Sequence, residues 1–330
     1  MIARAPLPLV VCLVLCLSLA VVGVGLAGPA GAGPGDPTVL FGARPEPATQ
    51  QGTTALETQI GRKLAAVRVY YSWDEPFPDA DVNWFVASSH PLLLSVKAQR
   101  SNGTFVLWRD IAAAQPGSAL YNDMVSWATR VRNLGTHVYF IFNHEPETTA
   151  NSGNSTAADF VAAWRKVVGV FRAQGVANAD YLWTMTAFSF KARDRRRAAD
   201  WYPGDAWVDY IGADAYNWFT CRPGINNPWN SLESLLNPMR LFAQGRPLKG
   251  LFVPEWASTE DPAQPGRKAQ WYRDAQALFS KPGWEQFKGI LYYDKKSKFA
   301  SCTWFVNSSQ TALDAFRGMA ADPYYARVDG

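Results

Sequence analysis

Two glutamates and one aspartate in this sequence each stand just beyond a short apolar run. Glu145 lies just past the run 138–142, and Glu255 and Asp214 stand in the same relation to two later runs. A pair of facing carboxyl groups can break a glycosidic bond, because one protonates the leaving oxygen while the other attacks the anomeric carbon. We take Glu145 and Glu255 as the candidate catalytic pair. The acid of such a pair needs a raised pKa, which burial and a neighbouring carboxylate supply.

Aromatic and polar residues close to these acids suggest contacts with a sugar. Tryptophan and tyrosine rings can stack on the apolar C–H faces of a sugar, while polar side chains bind its hydroxyl groups. The candidate substrate-binding residues are Tyr70, Asn143, His144, Asp214, Tyr216, Trp218, Trp256 and Tyr292. Because side chains alternate along a strand, only one of Tyr292 and Tyr293 can point inward, and the sequence does not choose between them.

Several of these residues also have a purely structural interpretation. Trp218 and Trp256 are typical of sugar platforms and equally of buried packing residues. Asp214 is typical of a hydroxyl-binding residue and equally of a loop anchor. Glu147, two residues further on, competes with Glu145 for the role of the acid. A lone glutamate after a strand is weak evidence, since helix N-termini attract acids, and it is the pairing that favours chemistry.

Basic residues fall into two groups with different interpretations. Arg68 and Tyr70 share one face of a predicted strand by alternation, and we interpret Arg68 as the partner of a buried acid. The run 193–197 contains four arginines and one aspartate. Such a run is usually a solvated surface, and binding of an acidic glycan is the alternative.

Short apolar strands alternate with helical patterns along the whole chain, which predicts the elements that position these residues. The predicted strands cover residues 39–42, 66–71, 92–96, 137–142, 181–186, 208–213, 250–254 and 289–293. The clearest helical patterns cover residues 119–134, 156–174, 232–243 and 267–279.

Eight such units predict an α/β fold, a single (β/α)8 TIM barrel, with the functional groups at the carboxyl ends of the strands. An open doubly wound sheet is the alternative, but no glycine-rich phosphate turn follows the first strand.

Composition limits the function further. The chain has 330 residues with 14 Trp, 13 Tyr and 18 Phe, and 18% of its residues are charged, against about 25% in typical globular chains. This composition excludes a disordered chain, and a net charge of +4 is too small to indicate nucleic acid. No Walker motif indicates a nucleotide. We expect no metal and no cofactor, and a monomer that acts on a polysaccharide or oligosaccharide.

Residues 1–32 have the composition of a secretory signal peptide. Arg4 precedes an uncharged apolar run over residues 7–27, and small residues follow up to Ala32, where we expect cleavage. The apolar run is also long enough to remain as an N-terminal membrane anchor. We therefore expect a secreted protein, or one anchored at the cell surface, with its catalytic domain at residues 33–330.

The cysteines point to one disulfide. Cys12 and Cys16 fall inside the signal segment, which leaves Cys221 and Cys302 in the exported chain. An even pair in an oxidising compartment predicts a disulfide, and two buried free thiols are the alternative. Both cysteines follow predicted strands, so the bond would join two loops on the catalytic side of the barrel.

Four motifs in this order resemble glycoside hydrolase family 26, the β-mannanase-type family of retaining (β/α)8 glycosidases. They are Phe142-Asn143-His144-Glu145, the segment 160–165 with Trp164-Arg165, Tyr202-Pro203-Gly204-Asp205 with residues 208–212, and Pro254-Glu255-Trp256. The resemblance implies catalytic residues on strands four and seven, with Glu145 as acid/base and Glu255 as nucleophile. It further implies that His144 supports the acid/base and that Tyr216 forms a hydrogen bond near the nucleophile.

The substrate and two other functions stay open. The segments 139–142 and 148–154 lack the arginine and the tryptophan-rich stretch usual in the family's mannanases. Besides β-mannan, the substrates to test are therefore mixed-linkage β-glucan, β-1,3-xylan and an arabinose- or galactose-rich cell-wall polymer. A non-catalytic carbohydrate-binding barrel and, more remotely, a barrel hydrolase that uses Asp214 with a metal are the alternatives.

Overall fold

The computed structural model describes Met1 and residues 38–328. Apart from Met1, the expected signal segment lies outside these described residues. Within them, eight parallel strands close into a barrel in which each strand pairs with the next and the last pairs with the first. The strands are β1 (Leu40–Arg44), β2 (Val67–Tyr71), β3 (Leu92–Val96), β4 (Val138–Phe142), β5 (Ala179–Thr186), β6 (Tyr210–Asn217), β7 (Gly250–Ser258) and β8 (Phe287–Tyr293). The predicted (β/α)8 barrel is confirmed.

Helices and short turns cover the outside of the barrel. The helices are α1 (Gln50–Ile60), α2 (Ala80–Ala87), α3 (Trp108–Ala113), α4 (Ala119–Arg132), α5 (Ala157–Ala173), α6 (Leu232–Ala243), α7 (Arg267–Leu278) and α8 (Gln310–Ala321). A capping box starts α5, because Thr156 and Asp159 each accept a hydrogen bond from the other's backbone N–H. In the part of the chain that is described, no helix has both the length and the apolar character needed to cross a membrane.

The connection between β5 and β6 differs from the others. It contains no α-helix and instead passes through the 3₁₀ turns Ala187–Phe190, Ala198–Trp201 and Asp205–Trp207.

Apolar side chains form two layers, one inside the barrel and one between the strands and the helices. Inward-facing side chains fill the barrel interior with Leu40, Leu93, Tyr139, Ile141, Leu182, Phe252 and Leu291. The outer layer packs between the strands and the helices. It is formed by the alternate residues of each strand, for example Val67, Val69 and Tyr71 on β2. Because successive side chains point to opposite faces, Arg68 and Tyr70 of the same strand face inward.

The strand ends at the mouth differ from the prediction. β6 and β7 each continue four residues beyond their predicted ends, to Asn217 and Ser258. Their last residues include polar side chains that are typical of loops, but parallel pairing between the two strands continues through Ala215 and Asn217. This extension holds the ends of β6 and β7 rigidly at the mouth.

β7 also contains one extra residue relative to its neighbours. Gly212 pairs with Phe252 and Ala215 pairs with Trp256, so three steps along β6 correspond to four along β7. The pairing with β8 shifts over the same stretch. Phe252 faces the barrel interior, so strict alternation would send Glu255 outward and Trp256 inward. The bulge reverses this parity and turns Glu255 toward the mouth, as bulges next to active sites commonly do.

Candidate active site

The carboxylate of Glu255 is bound on both oxygens by side chains from β2 and β6. Nε and Nη2 of Arg68 lie 3.1 and 3.0 Å from Oε1. The hydroxyl of Tyr70 donates to the same oxygen at 2.5 Å, and the hydroxyl of Tyr216 donates to Oε2. Charge-assisted hydrogen bonds of this kind are the strong ones, so the Glu255 carboxylate is held in a single orientation.

These contacts also set the protonation state of Glu255. Burial by itself raises the pKa of Glu255, but the charge of Arg68 and the hydrogen bonds from Tyr216 and Tyr70 outweigh it and lower the pKa from its ordinary value. Arg68 is fully buried, and its guanidinium lies 4.8 Å from the ring centre of Tyr70. Glu255 is 7% exposed. It is therefore an oriented, ionised carboxylate at neutral pH, which is the form a nucleophile requires.

Glu145 occupies the turn after β4, where the backbone itself is unusual. Its φ is 47° and that of Asn143 is 49°, and non-glycine residues rarely adopt this left-handed region. Hydroxyl and amide groups of Thr148 and Asn151 donate to the Glu145 carbonyl, both at 2.9 Å, and its N–H donates to the Thr184 carbonyl at 3.0 Å. A backbone in this region is retained only where surrounding contacts hold it in place, and it occurs most often at functional sites.

Burial and charge, rather than hydrogen bonds, set the pKa of the Glu145 carboxyl. Burial raises this pKa well above its ordinary value, the charges of Glu255 and then Glu147 raise it further, and Arg68 opposes them only in part. A carboxyl with a raised pKa keeps its proton near neutral pH and can donate it. Glu145 and Glu255 thus differ in protonation state, as an acid and a nucleophile must.

His144 lies beside the pair as a neutral imidazole. Its Nδ1 is 2.9 Å from the hydroxyl of Ser95, a buried residue of β3. Its ring packs edge-on against Tyr70, with 5.3 Å between ring centres. Burial, and then the charge of Arg68, lower the pKa of His144 to about 3. The imidazole is therefore fixed between β2 and β3 without adding a charge to the site.

Asn143 and Glu147 flank this turn and anchor it to neighbouring loops. The Asn143 Oδ1 accepts from the Ala98 N–H at 2.9 Å. One oxygen of Glu147 accepts from the N–H and the hydroxyl of Thr186 and from the hydroxyl of Ser189, at 2.9, 2.7 and 2.6 Å. Both anchors are buried. The structure therefore assigns Asn143 a supporting contact in place of the expected sugar contact, and it ties Glu147 to the β5 loop.

Asp214 is a buried acid beside Arg68. Its side chain is fully buried, and its Oδ2 is 3.8 Å from Nη2 of Arg68. Among the described residues neither carboxyl oxygen has a hydrogen-bond partner. Burial, and then the charge of Glu255, raise the pKa of Asp214 well above its ordinary value. This position beside Arg68 favours a structural role for Asp214 over contact with a sugar hydroxyl.

Aromatic rings from β6, β8 and the loop after β8 line one side of the mouth. The ring of Tyr216 lies 5.4 Å from that of Trp218, 5.8 Å from that of Tyr293 and 5.3 Å from that of Trp304. Trp218 and Tyr293 are partly exposed, whereas Trp304 is buried. Trp218 and Tyr293 therefore offer ring surface at the mouth, with Trp304 packed behind them.

Trp256 and Tyr292 do not lie at the mouth, contrary to the prediction. Both are 0% exposed. Trp256 stacks on Trp271 of α7, with 5.4 Å between ring centres, and the hydroxyl of Tyr292 donates to the Trp304 carbonyl at 2.6 Å. The bulge in β7 turns Trp256 outward. Tyr292 is outward because Leu291, its neighbour on β8, faces the barrel interior.

The predicted disulfide joins the loops after β6 and β8 beside this aromatic group. Cys221 and Cys302 are bonded, with 5.0 Å between their Cα atoms. The hydroxyl of Ser301 donates to the Cys221 carbonyl across the same contact. The guanidinium of Arg222 lies 4.5 Å from the ring centre of Trp218. The bond therefore braces the loop that carries Trp218.

One residue that builds the site, Ser95, was not identified from the sequence. It carried a signal, since it is the only hydroxyl residue in the apolar strand Leu92–Val96. Tyr293 was one of two alternatives at the end of β8, and choosing it over Tyr292 requires the register of that strand. The interpretation of Arg68 as the partner of a buried acid is confirmed by its contacts with Glu255.

The assembled groups can protonate a leaving oxygen and attack an anomeric carbon. Glu145 supplies a proton and Glu255 supplies an oriented carboxylate, with an aromatic surface alongside. Within residues 38–328, no group of three or more His, Cys, Asp and Glu side chains is arranged to hold a metal ion.

Sequence comparisons identify part of the chain with a known family. Residues 118–257 match the model of glycosyl hydrolase family 26, and this segment includes both Glu145 and Glu255. Over 164 residues the chain is 28% identical to endoglucanase H of Acetivibrio thermocellus, a match that covers 49% of this chain and 17% of that protein. The chain thus spans less than a fifth of the length of this curated relative.

Solved structures share the fold at low sequence identity. The catalytic domain of a family 26 endo-β-1,4-mannanase from Bacillus sp. JAMB-750 superposes with a TM-score of 0.61 at 17% identity, over 87% of this chain and 86% of that one. A family 26 β-mannanase from Bacteroides ovatus gives a TM-score of 0.62 at 14% identity, over 87% and 89% of the two chains. At these identities the similarity supports the (β/α)8 fold.

Proposed function

We propose that this chain, which is a glycoside hydrolase family 26-like protein, is a retaining endo-β-glycosidase that hydrolyses β-mannan or a related β-glycan. The observation that carries the proposal is a pair of carboxyl groups at one mouth, of which Glu255 is held on both oxygens by Arg68, Tyr70 and Tyr216. These contacts lower the pKa of Glu255, whereas burial and neighbouring charge raise the pKa of Glu145. When the surroundings of two carboxyl groups separate their pKa values in this way, one group can act as the acid while the other acts as the nucleophile.

In the first step of the proposed reaction, Glu145 donates its proton to the glycosidic oxygen. Glu255 attacks the anomeric carbon as that bond breaks, which yields a covalent glycosyl-enzyme. Arg68 and the hydroxyls of Tyr70 and Tyr216 orient the attacking carboxylate. Because these groups also favour the ionised form of Glu255, they keep the nucleophile ready at neutral pH.

In the second step Glu145 acts as a base. Having lost its proton, it accepts one from a water molecule that attacks the anomeric carbon and releases Glu255. His144 and the hydrogen-bonded backbone of the turn keep Glu145 at the cleft through both steps. Trp218 and Tyr293 supply ring surface on which a sugar can stack.

The substrate is proposed from the activities of similar proteins. Two of the solved structures with this fold are mannanases, and the curated relative is an endoglucanase. We therefore rank β-mannan and mixed-linkage β-glucan first, followed by β-1,3-xylan and arabinose- or galactose-rich polymers.

We also propose that the protein is exported, with residues 1–32 as a cleaved signal or a retained anchor. The support is the composition of this segment and the disulfide between Cys221 and Cys302, which is typical of oxidising compartments. Mass measurement of the N-terminal peptide, from medium and from membranes of a producing cell, tests both forms.

Release of reducing ends from a panel of purified polysaccharides tests the enzymatic proposal. The panel holds mannan, galactomannan, mixed-linkage glucan, β-1,3-xylan and an arabinogalactan, with Glu255→Gln as the inactive control. We expect release from at least one β-linked polymer and, by NMR, a first product with retained anomeric configuration. Binding of a glycan without any release would instead support a non-catalytic carbohydrate-binding barrel.

A further inference from the structure

One strongly charged surface has no part in the proposed reaction. It is the segment 191–200 between β5 and β6, here called the basic loop, which carries five cationic side chains and two aspartates. Nη2 of Arg196 lies 2.5 Å from Asp194, and Nη2 of Arg197 lies 2.5 Å from Asp200. The cations of the basic loop that form no ion pair among the described residues are Lys191, Arg193 and Arg195.

The backbone of the basic loop is anchored by buried aromatic rings. Nε1 of Trp201 donates to the Arg195 carbonyl at 2.9 Å. The Trp201 ring packs against Trp108 and Phe160, with 5.8 Å between ring centres in both cases. The exposed arginines therefore project from a fixed backbone, so less freedom is lost when they bind a ligand.

The basic loop lies at the catalytic end of the barrel, beside the turn that carries the acid. Ser189, which precedes it by two residues, donates to Glu147 of that turn at 2.6 Å. Phe188 is 45% exposed, and the guanidinium of Arg196 lies 4.5 Å from its ring centre. Phe188 and the start of the basic loop thus lie next to the turn that carries Glu145. An open hollow of about 460 Å³ lies among the basic-loop residues Arg193, Asp194, Arg195, Arg197 and Asp200.

We propose that the basic loop binds an oxyanion group carried by the glycan, so that the protein prefers an acidic form of its β-linked polymer to the neutral form. This inference rests on the proposed glycosidase function and specifies its substrate class. A guanidinium presents paired N–H donors that match the oxygens of carboxylate and phosphate groups. Arg193 and Arg195 have these donors free of any carboxylate of the described chain. Phe188, three residues before the basic loop, offers the sugar itself an exposed apolar ring.

A single polymer in neutral and charged forms tests this inference. The probes are glucomannan, glucomannan partly oxidised at C6 to carboxylate, and glucomannan partly phosphorylated. At low salt we expect one charged form to show a KM about three- to tenfold below that of the neutral polymer, the range expected for a few exposed ion pairs. The advantage should vanish in high salt, where charges are screened over about 3 Å. The charged polymer whose KM is lower than that of the neutral polymer identifies the anion, either carboxylate or phosphate.

Two variants separate recognition by the basic loop from general charge effects. In Arg193→Gln/Arg195→Gln the ratio of KM values between neutral and charged polymer should fall toward one. In the matched control Arg273→Gln, which removes an exposed arginine of α7, the ratio should stay that of the unmodified protein. A double variant that keeps the full ratio, or an unmodified protein without any preference, would overturn the inference.

Calorimetric binding keeps this test independent of turnover. If glucomannan in all three forms resists hydrolysis, the glycosidase proposal fails for this backbone, while affinity for the charged forms still reports on the basic loop. Tighter binding of a charged form that depends on Arg193 and Arg195 supports the inference. Equal affinity for neutral and charged forms, or no binding, overturns it.

Discussion

The carboxyl ends of β4 and β7 each carry one glutamate of the site, but the two ends hold it in opposite ways. At the end of β7, Glu255 is held through its side chain, with Arg68, Tyr70 and Tyr216 on its two oxygens. At the end of β4, Glu145 is held through its backbone, whose carbonyl accepts two side-chain hydrogen bonds.

The proposed reaction explains this difference. A nucleophile needs one orientation and one protonation state, and donors on both carboxylate oxygens impose both. An acid/base must lose a proton in one step and accept one in the next, so strong donors to its carboxyl would trap the ionised form. A fixed backbone with burial and neighbouring charge orients Glu145 and still leaves its proton exchangeable.

Removal of the side chain-held carboxylate should have the largest effect. Glu255→Gln keeps the shape of the site but cannot form the glycosyl-enzyme, so we expect turnover to fall by several orders of magnitude on every substrate. Reducing-end release measures this on a polysaccharide, and aryl-glycoside hydrolysis measures it on a substrate with a good leaving group. Near-normal turnover on either would refute the role of Glu255.

The loss of activity caused by removing the acid, Glu145, should depend on the leaving group of the substrate. Glu145→Gln cannot protonate the glycosidic oxygen, so turnover of polysaccharide should fall by about 10²–10⁴-fold, the usual contribution of a general acid. An aryl glycoside whose leaving group needs no proton should still form the glycosyl-enzyme, seen as a burst of released phenol. Equal losses for both substrates, with no burst, would contradict the difference between the two ends.

Removing one hydrogen bond to the nucleophile should lower kcat/KM by a smaller factor and should also shift the pH–rate profile. Tyr216→Phe removes one hydrogen bond to the charged carboxylate, which is typically worth about 1.5–3 kcal/mol, so we expect kcat/KM to fall by about tenfold or more. That bond lowers the pKa of Glu255. Without it the pKa rises, and the acidic limb of the pH–rate profile should move to higher pH. A loss of rate with an unmoved acidic limb would indicate a packing role alone.

A charge change near the acid should have the smallest effect and should move the other limb. The charge of Glu147 raises the pKa of Glu145, which must be protonated for the first step. In Glu147→Gln the pKa of Glu145 falls. The basic limb of the pH–rate profile should therefore move to lower pH. Glu233→Gln, an exposed acid on α6, is the control and should leave the profile unchanged. An unmoved basic limb in Glu147→Gln would show that Glu147 serves only as a loop anchor.

Residue types and their spacing along the chain were sufficient to predict the barrel and the two candidate carboxyl groups. Short apolar runs separated by helical patterns predict parallel strands without information on strand pairing. The sequence also shows directly that one glutamate follows strand four and that another lies in strand seven. The disulfide also followed from residue types, because Cys221 and Cys302 are the cysteines that remain outside the expected signal.

Which side chains reach the cleft depends on how the strands pair in the folded barrel. The extra residue in β7 turns Glu255 inward and Trp256 outward, and its sole sequence signal is Pro254, a residue that parallel strands tolerate mainly at bulges. The register of β8 exposes Tyr293 and buries Tyr292. Parity depends on how neighbouring strands pair, and a single sequence does not contain that pairing.

The protonation states of the two glutamates were likewise decided in three dimensions. Arg68 and Glu255 are 187 residues apart in the chain and 3.0 Å apart in the fold. Burial and the charge of distant residues set a pKa, so identical side chains become an acid at one strand end and a nucleophile at the other.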